Sequence, residues 1–231
     1  MRIAVTGTPG TGKTTATRLL EERSGLEADT DLEVDAEMNV EVVHLNDILE
    51  REGLYTDVDT ERESKVADLE ALGDWLERYE ASSQCESLDS MADTRGQAQG
   101  VDGSVVQADH DQDVDGEAIQ SAPDHEILVV ESHLSHHLPA DRCVVLRCAP
   151  ETLETRLRER GESGAKAVEN AESEALDVIL SEAVDRHGLE AVYEVETTNR
   201  KPSEVATAIA AVATGEREPS AGTVDFVGYL A

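Results

Sequence analysis

Residues 7–14 read Gly-Thr-Pro-Gly-Thr-Gly-Lys-Thr, and the fold turns on this stretch. It meets the pattern G-x-x-x-x-G-K-[ST] at every fixed position. The residues before it, 2–6 (RIAVT), read as a buried strand, and residues 13–23 (KTTATRLLEER) read as a helix ending near Ser24–Gly25. A strand, a glycine-rich loop and a helix in that order form the context in which such a loop cradles phosphate. Gly10 and Gly12 let backbone N–H groups turn inward around phosphate oxygens, and the helix start adds its positive dipole end. Lys13 is expected to reach the β- and γ-phosphates, the Thr14 hydroxyl to ligate Mg²⁺, and Thr15 to donate to the α-phosphate. ATP as substrate and Mg²⁺ as cofactor follow from these residues. The plainer alternative is a glycine-rich turn without ligand, which needs pattern and context to coincide by chance.

Working outward, residues 40–45 (VEVVHL) form a second expected strand, then a short helix over 46–52 with Asn46 as its cap and Gly53 as its stop. Apolar residues at Val66, Leu69, Leu72, Trp75, Leu76 and Tyr79 recur every three or four positions, which predicts a helix over 65–80. Strands are expected at 126–131 (EILVVE), 143–147 (CVVLR) and 189–195 (LEAVYEV). Helices are expected from Pro150 through Arg160, over 166–186, and from Pro202 to about Thr214, with a turn at Gly161–Gly164. Short buried strands alternating with helices imply an α/β fold with a parallel sheet. Two stretches break the pattern. Residues 27–39 read as an acidic insert, and residues 83–125, rich in Ser, Asp, Gln and Gly, as an acidic low-complexity insert or loop. The expectation is one domain spanning 1–231, with these inserts inside it.

The 231 residues carry 19 Lys+Arg against 51 Asp+Glu, a net charge of −32. Lys13, Lys65, Lys166 and Lys201 are the only lysines, and aromatic residues make up 3%. So large a charge repels itself in dilute buffer, whereas in molar salt the Debye length falls to about 3 Å. This points to a salt-adapted, halophilic cytoplasm, the alternative being an acidic mesophilic protein with a disordered segment. The acidity argues against binding bare nucleic acid, which needs clustered Lys and Arg, but not against docking on a basic protein. Cys85, Cys143 and Cys148 show no metal spacing and fit a reducing compartment. The chain opens directly on a strand and holds no 18-residue apolar run, so a soluble cytoplasmic protein off the membrane is expected.

Glu131 closes the apolar run ILVV and is placed to hold the Mg²⁺ hydration shell, a solvent-facing strand end being the alternative. After it, Ser132-His133-Leu134-Ser135-His136-His137 gathers three imidazoles. Zinc is conceivable there, but no cysteine pair lies near. His133 is expected to face the nucleotide, with His136 and His137 at the surface or packing on a helix.

The loop GTPGTGKTT (7–15), VHLNDIL (43–49), Leu54-Tyr55, VVESHLSHHLP (129–139) and RLRERG (156–161) resemble, in order, the adenylate kinase isoenzyme 6 family of archaea and eukaryotes. The resemblance covers nearly the whole chain outside the two inserts. It implies a P-loop nucleoside monophosphate (NMP) kinase fold, a parallel five-stranded sheet of order 2-3-1-4-5 with helices on both faces. It implies an NMP-binding region at 40–63 and a short lid at 159–169. It implies that Arg160 contacts the ATP phosphates, with Arg156 nearby and Lys13, His133 and Arg160 as the catalytic set. A base-binding loop falls around Asn199-Arg200-Lys201. The implied activity is transfer from ATP to AMP or other NMPs, with ATPase activity. The implied partners are a ribosomal protein of the uS-eleven family and the small-subunit precursor, whose maturation the family serves. The chain departs from the family in having Glu131 where Asp is common, and in Arg51, which lies out of register for the arginine expected after Asp47.

Overall fold

The structure is a computed structural model that describes residues 1–24, 39–59, 64–93 and 127–230. Residues 27–38 of the insert expected at 27–39, and most of the insert expected at 83–125, lie outside the described residues. In chain order the elements are β1 (Arg2–Thr6), α1 (Lys13–Ser24), β2 (Val40–His44), α2 (Leu45–Glu52), β3 (Tyr55–Asp59), β4 (Ser64–Ala67) and α3 (Leu69–Asp93). There follow β5 (Ile127–Glu131), β6 (Arg142–Arg147), α4 (Pro150–Glu159), α5 (Gly164–Ala175), α6 (Val178–His187), β7 (Val192–Glu196) and α7 (Pro202–Thr214). The chain divides into two compact units, residues 1–69 with 124–231, and residues 70–123.

In the first unit five strands form a parallel sheet in the order β2-β5-β1-β6-β7. Counting only these strands in chain order, that is 2-3-1-4-5, as the resemblance implied. Strands buried on both faces need near-continuous apolar runs, and the central residues of β1, β5 and β6 supply them. Ile3, Val5, Val129, Val144, Leu146 and Val195 pack on Leu20, Val205 and Ile209 of α1 and α7. On the opposite face Ala4, Cys143, Val145 and Val192 meet Leu180 and Ala183 of α6. The order reverses at β1, between β5 and β6. The crevice at the carboxyl ends of these strands is where an open α/β sheet binds ligands.

Several boundaries differ from the sequence reading, each for a local reason. α2 begins at Leu45 with His44 at its N-cap, so Asn46 lies inside the helix and accepts a hydrogen bond from Ser132 Oγ at 3.0 Å. Gly53 ends that helix at φ 67°, as expected. An antiparallel pair of strands, β3 and β4, occupies residues to which the sequence reading gave no strand, and β4 takes the start of the helix expected at 65–80. Val66, which lent the helical spacing its first apolar position, is exposed on that hairpin. The helix proper starts at Leu69 and runs on to Asp93, past the expected end at 80 and into the stretch read as insert. No Gly or Pro occurs from Asp74 to Arg95, so nothing in the backbone chemistry stops it. Within this unit Trp75 and Tyr79, one turn apart, stack at 5.0 Å.

The single helix expected over 166–186 is two helices, broken at Asp177, which adopts the left-handed region at φ 55°. Its carboxylate pairs with the guanidinium of Arg147, and this contact holds an otherwise costly backbone conformation. β7 starts at Val192, after a 3₁₀ turn at Leu189–Ala191 that the sequence reading merged with the strand. Beyond α7 the chain turns back beside the sheet: Arg217 Nη2 donates to the Glu194 carbonyl at 2.7 Å and Thr223 N to the Glu194 carboxylate at 2.6 Å. Among the described residues no helix is long and apolar enough to cross a membrane.

Candidate active site

The phosphate loop leaves the end of β1 and enters α1 at Lys13. Gly7 and Gly10 hold φ at 134° and 96°, outside the region open to L side chains. A Cβ at Gly7 would come within 2.4 Å of the Leu146 carbonyl oxygen, so the loop lies against the end of β6 as only glycine permits. Inside the loop, Lys13 Nζ donates to the carbonyls of Gly7 and Thr8 at 2.7 and 3.2 Å. Lys13 is buried, and burial pushes its ammonium down to about 8, against the carboxylates of Glu131 and Glu174 and in concert with the charge of Arg160. Lys13 therefore brings its charge into a confined setting, where it would act strongly on a phosphate placed there.

Glu131 ends β5 and is buried. Parallel register sets it opposite Val5 of β1 on one side and His44 of β2 on the other. Its Oε2 accepts from Thr14 Oγ1 at 3.2 Å and lies 2.7 Å from His44 Nδ1. The donor set fits Mg²⁺: a hydroxyl and a carboxylate are the hard oxygen ligands that ion takes, one on the loop helix and one on the adjacent strand. Thr15 is exposed on the first turn of α1.

His133 is half-buried after β5, and its imidazole is pushed down to about 4, first by burial and then by Lys13, His136 and His137. It is neutral at neutral pH. His136 is buried, against the expectation of a surface ring but consistent with helix packing. Its Nδ1 lies 2.9 Å from Thr6 Oγ1 and its Nε2 3.0 Å from the Glu182 carboxylate of α6. His136, His137 and Glu182 bring ligand atoms within 4.8 Å of one another, while both nitrogens of His136 already have partners.

Arg156 and Arg160 stand on the last turn and C-cap of α4. Arg156 bridges the loop to the β7–α7 connection, with Nη1 3.5 Å from the Gly10 carbonyl and Nη2 3.3 Å from that of Thr198. Arg160 is exposed, yet its charge reaches Lys13. Asn199 and Lys201 are exposed in the β7–α7 connection, where the Lys201 backbone N–H donates to the Glu204 carboxylate at 2.7 Å. That connection is fastened to the phosphate loop by Thr197 Oγ1, 2.9 Å from the Thr11 carbonyl. The structure thus gathers Lys13, Thr14 and Glu131 tightly, sets His133 and Arg160 within electrostatic reach of Lys13, and leaves Asn199 and Lys201 at the rim of the neighbouring loop.

Sequence reasoning missed His44, Thr197 and a buried cluster around Arg147. The signal for His44 was available: it closes the strand VEVV as Glu131 closes ILVV. Arg147 likewise ends the apolar run CVVL, and a charge in that position needs partners. It finds them in Glu174 at 2.8 Å, Glu194 at 2.5 Å and Asp177.

The AAA domain family matches residues 3–177. A "Putative adenylate kinase" of Halobacterium salinarum is 45% identical over 231 residues, 100% of both chains. One of Natronomonas pharaonis, with the same name, is 44% identical over 230 residues, again covering 100% of each. Among solved structures, a deoxyadenosine kinase from M. mycoides superposes with a TM-score of 0.38 at 12% identity, over 93% of this chain and 100% of that one, too weak a likeness to carry more. With full-length relatives at this identity, the chain belongs to the archaeal putative adenylate kinase family, within the AAA domain family.

Proposed function

We propose that this chain is an NMP kinase of the adenylate kinase type, moving the terminal phosphoryl group of ATP to AMP and, with broad specificity, to other NMPs. The observation that carries the reading is the convergence of Lys13, Thr14 and Glu131 at the end of β1 and β5. Phosphoryl transfer asks for positioning and for positive charge around the transferred group rather than for covalent chemistry. Mg²⁺ bound by Thr14 and Glu131 would neutralise charge on the phosphates. Lys13 holds the β- and γ-phosphate oxygens, and Thr15 the α-phosphate. Arg160 adds charge from the lid segment 159–169, and the neutral His133 offers a hydrogen bond without repelling Lys13. Residues 40–63 receive the monophosphate, and Asn199 and Lys201 border the base.

ATP hydrolysis accompanies transfer in this reading. Only the four residues 160–163 separate α4 from α5, a lid too short to exclude water well. By family resemblance the protein works in the cytoplasm, in small-subunit maturation, through a basic ribosomal protein of the uS-eleven family. The net charge of −32 suits a basic protein partner and disfavours bare RNA.

Assay with ATP and Mg²⁺ in molar KCl, with and without AMP, tests the kinase. ADP formation should rise many-fold with AMP. Equal phosphate release in both arms, with no gain in ADP, would leave an ATPase only. Pull-down of the ribosomal protein with and without ATP tests the assembly role, and no retention in either state rejects it.

A further inference from the structure

Glu174 lies near the end of α5 and is buried, yet none of the roles above uses it. Both of its carboxylate oxygens are committed. Oε2 accepts the hydroxyl of Thr8, in the phosphate loop, at 2.5 Å. Oε1 accepts Arg147 Nε at 2.8 Å and the Cys148 backbone N–H at 3.1 Å. Thr8 is in turn a centre of the loop's own bonding, because its carbonyl accepts from Lys13 Nζ, Thr11 N and Thr11 Oγ1. A carboxylate on α5 thus fixes the residue whose carbonyl holds the lysine.

Arg147 makes this arrangement stable. It is buried among Glu174, Asp177 and Glu194, and the second oxygen of Glu194 accepts the backbone N–H groups of Thr223 and Val224. Charges this deep persist only when every partner is in place, so Glu174 has little freedom to move. α5 begins at Gly164, inside the segment proposed as the lid. One rigid helix therefore has its start in the lid and its end on the phosphate loop.

We propose that Glu174 is a positioning residue for the phosphate loop, held by Arg147 and acting through the Thr8 hydroxyl, so that α5 couples the lid to the lysine-bearing loop. The inference rests on the kinase reading for its activity readout, and nucleotide binding supplies a second one.

Glu174→Gln, Thr8→Val and the double variant form a cycle in molar KCl, with Thr8→Ser as the conservative control. Each single change should lower kcat/KM for ATP about tenfold, the scale of one lost hydrogen bond to a charged group. The double variant should lose about the same tenfold, and Thr8→Ser should match the parent. Losses that multiply in the double variant, or a Thr8→Val protein with parental kinetics, would overturn the proposal. So would a Glu174→Gln protein that only melts earlier while its folded fraction turns over normally. The same cycle read as the Kd of a fluorescent ATP analogue separates the two ideas. A parent that binds the analogue but transfers to no NMP sinks the kinase reading, while non-additive Kd values still uphold the role of Glu174.

Discussion

His44 Nδ1 and Glu131 Oε2 lie 2.7 Å apart, and that same oxygen accepts the hydroxyl of Thr14. One carboxylate oxygen is therefore aimed from two sides, by a residue ending the neighbouring strand and by one opening the loop helix. Groups that orient a metal-holding carboxylate typically matter 10–100-fold. We expect His44→Ala to lower kcat by about tenfold and to raise the Mg²⁺ concentration needed for half-maximal rate. Glu131→Gln should do more of both. A Mg²⁺ titration of each variant is the check, and an unchanged half-saturation point in His44→Ala would remove His44 from this role.

Lys13 has its ammonium pushed down to about 8 by burial, with Glu131 and Glu174 opposing and Arg160 assisting, and His133 stands beside it as a neutral ring. Two consequences share one pH window. ATP affinity should weaken as pH rises through about 8, because the neutral amine no longer attracts phosphate. Over the same rise, from the folded value of about 8 to the ordinary 10.5, the unfolded chain binds more protons than the folded one. This group's contribution to stability therefore increases with pH. Lys13→Met should abolish phosphoryl transfer and lose that increase. Melting curves of parent and variant across the window provide the measurement, and parallel curves would contradict the burial argument.

The three loop glycines should rank by what a methyl group meets. At Gly12 a Cβ finds nothing within 4 Å, so Gly12→Ala carries only the strain of φ 96°, roughly 1–2 kcal/mol. At Gly10 it would lie 2.9 Å from Leu153 Cδ1, adding overpacking of about 1–3 kcal/mol. At Gly7 it would strike the Leu146 backbone, which has no room to yield, and the loss should exceed about 4 kcal/mol. Thermal denaturation of the three alanine variants in high salt tests the order.

Salt should govern stability. With a net charge of −32, the folded state concentrates a repulsion that dilute buffer leaves unscreened. Moving from about 2 M to about 0.1 M KCl should lower Tm by roughly 10 °C, equivalent to about 3–4 kcal/mol for a chain of this size. An equal Tm in both would argue for an ordinary mesophilic protein.

Much of this site is written locally in the chain. The loop, its flanking strand and helix, and the strand-end acid Glu131 are contiguous patterns, and the sheet order follows from the family those patterns resemble. What stayed hidden depends on register between distant strands. His44 visibly closes VEVV, but its contact with Glu131 depends on the register that sets the two strand ends level. Glu174 looks like any helix carboxylate until β6 places Arg147 against it. The break at Asp177 is equally opaque, because the residue favours a left-handed conformation only once the guanidinium is there to receive it. The β3–β4 hairpin was masked by Val66, whose spacing agreed by coincidence with the helix that follows.

The buried arginine also orders events during synthesis. Its carboxylate partners come from α5, the link between α5 and α6, and β7, and Glu194 is completed by Thr223 and the backbone of Val224. The phosphate loop leaves the ribosome first, yet the charge network behind it closes last. A nascent chain shorter than about residue 224 would carry every residue proposed to touch phosphate while lacking the last contacts that quiet the ion cluster beneath them. Nucleotide binding by such stalled chains should therefore appear abruptly with length, rather than growing as each helix emerges.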